Sequence, residues 1–179
     1  MNIEALQQGV EAAMSRLQKK LRKTLEDQGH VNTGRLRDSI KYEIEVKTGA
    51  VVARMESLDY GLVMEFGIPA GRIPYGGRTG RGGRSKYIQG LITYFESKGL
   101  QGREAIGAAF ATANVHRREG LPTVASRRFS NTGERTGFVK SSIEQDLGTI
   151  AAVIEQTTGH YVQLEFGDVF RMEPIVFYT

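Results

Sequence analysis

The sequence predicts an α+β fold: a long N-terminal helix, an antiparallel β-sheet made of a hairpin and C-terminal strands, and a central helical hairpin. Three observations predict it. Apolar residues recur at steps of three and four along the N-terminal stretch. The step changes to two near residue 40. Alanine-rich helical periodicity returns beyond residue 100.

Ile3, Leu6, Val10, Met14, Leu17, Leu21 and Leu25 form one apolar stripe, which predicts a helix from about residue 3 to 28 ended by Gly29. Lys19, Lys20, Arg22 and Lys23 sit toward its C-terminal end, where the helix dipole favours cations. Such a helix is long for its neighbours and is expected to pack partly on another subunit. Past HVNTGRLRD, Ile40, Tyr42, Ile44 and Val46 alternate with charged residues, predicting a half-buried strand. Thr48-Gly49 predicts a tight turn, and Val51, Ala53 and Met55 alternate back as the second arm of a hairpin. Tyr60, Val63, Met64 and Phe66 then follow at helical spacing, with Ser57 or Asp59 as the cap candidate and Gly67 as the stop.

Ser85 is placed to cap a helix carrying Tyr87, Ile88, Leu91, Ile92 and Phe95, which runs to Gly99. A second helix over about 102–119 presents Ala105, Ala109 and Ala113 on one face, and small residues let two helices approach closely, so the pair predicts an α-hairpin. Polar, turn-rich sequence follows to residue 137. A short helix is expected over Phe138–Leu147, then strands over Ile150–Gln156, Tyr161–Phe166 and Pro174–Tyr178. The chain is expected to be a single domain over 1–179, with a flexible Gly/Arg-rich loop at 68–86 within it.

Two stretches echo each other. NTGRLRDSI, GAVVARME and DYGLVMEFG recur in the same order as NTGERTGFVKSSI, GTIAAVIE and HYVQLEFG. Either this is convergence on shared turn-and-strand grammar, or the chain is a tandem duplication whose halves share one sheet around an inserted 68–130. On either reading Phe66 and Phe166 are expected in the core.

At 179 residues, 40% apolar and 25% charged, the composition is that of a globular domain rather than a disordered chain. No apolar run is long enough to span a bilayer, so no membrane partner is expected, and the N-terminal residues do not read as a signal peptide. The absence of cysteine excludes disulfides, thiolate metal sites and a cysteine nucleophile. His30, His116 and His160 have no metal-ligand spacing, no serine lies in a nucleophile elbow, and no Gly-Lys-Ser/Thr phosphate loop is present. No catalytic residue, metal or cofactor is therefore expected, and the chain is not expected to be an enzyme.

One segment stands apart. Residues 71–86, GRIPYGGRTGRGGRSK, hold Arg72, Arg78, Arg81, Arg84 and Lys86 and no acid. Glycine gives such a loop reach and arginine gives it forked donors, so these five residues are candidates to face DNA phosphates without reading bases. Arg117, Arg118, Arg127, Arg128 and Arg135 form a second basic cluster, diluted by Glu119 and Glu134. Neither cluster has the aromatic interleaving of a single-strand platform.

The order of motifs resembles the head–tail joining or tail-completion (neck) proteins of tailed bacteriophages. The likeness is carried by Gly34, Leu36, Arg37, Asp38, Ser39 and Ile40, then a hairpin, then Tyr60, Met64, Glu65, Phe66 and Gly67. It continues through the aromatic helix Tyr87–Phe95, Lys98-Gly99, the alanine-rich Ala105–Val115 and Gly120-Leu121-Pro122, and so covers roughly residues 30–130. The Gly/Arg stretch is longer than the family's pattern, and the chain goes on through a second Glu-Phe-Gly.

This resemblance implies a structural virion protein at the head–tail junction, made in the host cytoplasm. It implies a homo-oligomeric ring, of about six or twelve copies, around the DNA channel. Its partners would be itself, other neck proteins, the portal or adaptor and the tail-tube or terminator proteins, with packaged double-stranded DNA as a further candidate. The rival reading is a cellular nucleic-acid-binding module that uses the Gly/Arg-rich loop.

Overall fold

The computed structural model describes residues 3–48, 50–76, 85–158 and 175–178, the last group as backbone alone. The chain divides into two compact units: Met1–Phe66 with Phe129–Thr179, and Gly67–Arg128 inserted between them. The limits of the inserted unit nearly coincide with the 68–130 insertion read from the sequence echo.

The first unit is built on helix α1, Ile3–Asp27. Its stripe is buried throughout, from Leu6 through Val10, Met14, Leu17 and Leu21 to Leu25. The cover comes from within the chain, from helix α6 (Phe138–Thr158) and the two hairpin strands, so burial of this stripe needs no second subunit. Gly9 sets the closeness of the helix pair: a Cβ there would stand 3.2 Å from the Thr157 Cβ and 3.3 Å from the Ile154 Cα.

A short helix α2, Arg35–Ser39, leads into strands β1 (Lys41–Lys47) and β2 (Ala50–Glu56). They form the expected antiparallel hairpin, with Tyr42 opposite Met55, Ile44 opposite Ala53 and Lys47 opposite Ala50. Strand β3, Ile175–Tyr178, pairs antiparallel with the other edge of β2, giving the sheet order β1-β2-β3. Helix α3, Gly61–Phe66, closes this part of the unit.

Three expectations are corrected. The helix expected over Phe138–Leu147 runs on to Thr158, so Ile150–Gln156 is helical and not a strand. Its buried positions are Phe138, Ser142, Asp146, Ile150 and Ile154, one residue every four, and that face lies on α1. The long buried stripe outweighs the strand preference of the β-branched run and the break expected at Gly148. The second echo stretch therefore has no strand at 148–155, where the first has β2, so the two copies differ in structure there. Phe66, expected in the core, is 65% exposed, because the helix turns its neighbour Glu65 inward instead. The expected strand Tyr161–Phe166, with Glu165, Phe166 and Gly167, lies outside the described residues.

The second unit is the expected α-hairpin. Helix α4, Lys86–Ser97, is capped by Ser85, whose Oγ accepts from the Ile88 N–H at 3.3 Å. Helix α5, Gly102–Glu119, packs Ala105, Ala109 and Ala113 against Ile88 and Ile92, all buried. A 3₁₀ turn, Ala70–Arg72, lies against α5. Ile68 and Leu121 exchange backbone hydrogen bonds at 2.8 Å, and Tyr75 meets Phe110 ring to ring, so the strap before the hairpin is held to its open end. Gly67 (φ +72°) and Gly120 (φ +80°) make this closure possible, since a Cβ at Gly67 would collide with the Leu121 carbonyl.

Candidate functional site

Of the residues that carry the phage resemblance, those of the Gly34–Ile40 segment meet the C-terminal half of α1. Gly34, at φ +78°, sets the backbone that starts α2. Leu36 and Ile40 point into the core, 3% and 1% exposed. The Ile40 carbonyl accepts from Gln18 Nε2 at 2.8 Å and from Arg22 Nη2 at 2.9 Å, which ties the entry of β1 to α1. Ser39 Oγ donates to the Leu36 carbonyl at 2.7 Å and accepts from the Leu58 N–H at 3.2 Å, which ties α2 to the exit of β2. Arg37 bridges Glu26 on α1 (2.9 Å) and Asp38 (2.7 Å); the pairing raises the Arg37 pKa and lowers that of Asp38. The motif is thus a clasp between α1, α2 and the hairpin.

Glu65 completes it. Its side chain is buried, and its two carboxylate oxygens accept from the Val139 N–H at 2.7 Å and the Lys140 N–H at 3.2 Å. These are first-turn donors of α6, which begins just after Gly137, a residue with no side chain to cap it. A carboxylate brought from across the chain takes the place of the local cap. The sequence pattern around Glu65 does not point to this role; the signal for it is a helix start at 138 with no capping side chain at residue 137.

Tyr60 is 43% exposed and lines a cleft of about 110 Å³ together with Leu25, Val31, Arg35 and Leu36. His30, at the same cleft, donates from Nε2–H to the Arg135 carbonyl at 3.0 Å. Burial, with the Arg135 charge beside it, pushes the His30 pKa down to about 4, so this imidazole is neutral at pH 7. Phe66 and Leu62 are exposed near the end of α3, and Val31 near the cleft. The exposed apolar residues of the first unit therefore include several on or beside the motif segment.

The DNA-facing candidates divide. Arg72 and Lys86 are exposed in the second unit, whereas Arg78, Arg81 and Arg84 lie outside the described residues. Among the described residues no group of three or more His, Asp or Glu side chains could hold a metal, and no helix is long and apolar enough to cross a membrane.

A family model described as "Bacteriophage HK97-gp10, putative tail-component" matches residues 2–67, just over a third of the chain. It spans α1, α2, the hairpin and α3, and it ends at Gly67, where the first stretch of the first unit gives way to the insertion. The match fits the head–tail joining and tail-completion resemblance, and it extends that resemblance back over α1. Over those residues the chain is similar to a family described as a putative tail component, which is consistent with a structural protein of the virion. No curated protein and no solved structure matches the chain.

Proposed function

We propose that this chain is a structural protein of the bacteriophage neck, forming a ring that joins the capsid portal or connector to the tail around the DNA channel. One observation carries the reading: the family match over residues 2–67 covers the segment in which Gly34, Ser39, Ile40 and Glu65 make the clasp. A tail component must present the same surface to many neighbours, and a clasp of core side chains and buried hydrogen bonds makes that surface rigid. Exposed Tyr60, Leu62 and Phe66 supply apolar area for a neighbouring copy or ring. Ring closure calls for a head-to-tail interface, in which two different faces of the chain meet.

The test is the mass of the purified protein by light scattering, paired with negative-stain microscopy. The expected result is closed rings of about six or twelve copies, alone or on addition of the partner portal ring. A monomer that never joins a ring, yet forms a tight salt-sensitive complex with RNA, would replace this reading with the nucleic-acid-binding module.

A further inference from the structure

Charge is segregated between the two units. The inserted unit, Gly67–Arg128, holds eleven basic residues against three acidic ones, a formal net charge of +8. The rest of the chain holds thirteen basic against seventeen acidic residues, a net charge of −4.

Among the described residues of the inserted unit, exposed cations gather at one end of the helical hairpin. At the closed end of the hairpin, Lys98 and Arg103 are matched by Glu96 and Glu104. At the open end the Tyr87 hydroxyl and His116 Nδ1 meet at 2.6 Å, which sets the start of α4 beside the last turn of α5. Lys86, Arg117 and Arg118 are all exposed there. Arg72 joins them, because the 3₁₀ turn that ends on it packs on α5. The acid at this end, Glu119, accepts from the Val124 N–H at 3.1 Å. Arg72 and Lys86, from the first basic stretch, and Arg117 and Arg118, from the second, thus share one pole.

The fold does not account for this pole. Arg117 and Arg118 suit the C-terminal end of α5, but Lys86 is the first residue of α4, where the helix dipole disfavours a cation. A unit with so many like charges repels itself unless an anion is present. Its exposed large apolar residues are Tyr94 and Val124 among the described ones, whereas Val31, Tyr60, Leu62 and Phe66 are exposed on the first unit. A surface rich in cations and poor in apolar area fits a phosphate backbone better than a protein face.

We infer that the open end of the α4–α5 hairpin, through Arg72, Lys86, Arg117 and Arg118, is a sequence-blind binding surface for the phosphates of duplex DNA. The inference rests on the neck reading only in taking DNA as the polyanion that the chain meets. The residues named are fixed without the segment 77–84.

The test measures binding of the full chain to a mixed-sequence duplex by fluorescence anisotropy, over about 50 to 200 mM salt. Arg117→Gln with Arg118→Gln should flatten the log–log salt slope by about 0.9 for each phosphate that is no longer neutralised, and should weaken unrelated duplexes equally. Lys98→Gln with Arg103→Gln removes the same charge from the closed end and should leave the slope almost unchanged. Equal slopes for the two double variants would overturn the inference, since net charge alone would then explain binding. So would a wild type that ignores DNA and binds a polyglutamate peptide, which would make the partner an acidic protein. Ring mass, measured with and without the partner portal ring, separates the two proposals: rings without DNA binding defeat this one alone, and DNA binding by a chain that forms no ring under either condition defeats the neck reading alone.

Discussion

At Glu65 a single carboxylate holds the start of a helix that begins 73 residues further along the chain. Two backbone donors at the positive end of the α6 dipole point at it, and it is buried, so its loss would leave those donors without acceptors. Glu65→Ala should therefore lower stability by about 2 kcal/mol. Phe66→Ala, at a position 65% exposed, should cost under about 1 kcal/mol. Urea denaturation of the two variants checks the order; a larger loss for Phe66→Ala would show that the aromatic ring supports the fold. The sequence suggests the opposite order, because an apolar residue before a glycine stop reads as core. A buried acid becomes legible only when the uncapped start of its distant partner helix is recognised.

Most elements could be read from the sequence because their periodicity is unambiguous. The α1 stripe, the β1–β2 alternation and the Tyr87, Ile88, Leu91, Ile92 and Phe95 spacing of α4 each fit one period. The second half of α6 does not. Ile150 and Ile154 share a face in a helix and in a strand alike, since a step of four suits both periods. The earlier members of the stripe, Ser142 and Asp146, are polar and hide it. They are buried because they have partners on α1: Ser142 Oγ meets Thr24 Oγ1 at 2.8 Å, and the Asp146 carboxylate takes two bonds from Arg16, at 2.7 and 2.8 Å. Ala152 separates the two readings, because a strand would bury it with its isoleucine neighbours and the helix leaves it exposed. Ala152→Lys should change stability by less than about 0.5 kcal/mol, whereas Ile154→Ala should cost about 2–4 kcal/mol. Thermal melts of both variants decide it; strong destabilisation by Ala152→Lys would contradict a helical α6.

For the whole molecule, the total charge of +4 is legible in the sequence, but its division into units of +8 and −4 is not, since it follows from the unit boundaries at Gly67 and Arg128. A ring would multiply that division by its symmetry, and cations that are trivial in one chain would become a dense collar. Neck membership is the central claim, and the most direct measurement is a cryo-electron microscopy map of the phage particle that contains this chain. The account predicts a closed ring at the head–tail junction, into whose density α1, the hairpin and α6 of each copy fit. A map in which every ring of the neck is filled by other chains, with this one absent from the particle or confined to the distal tail, would contradict it.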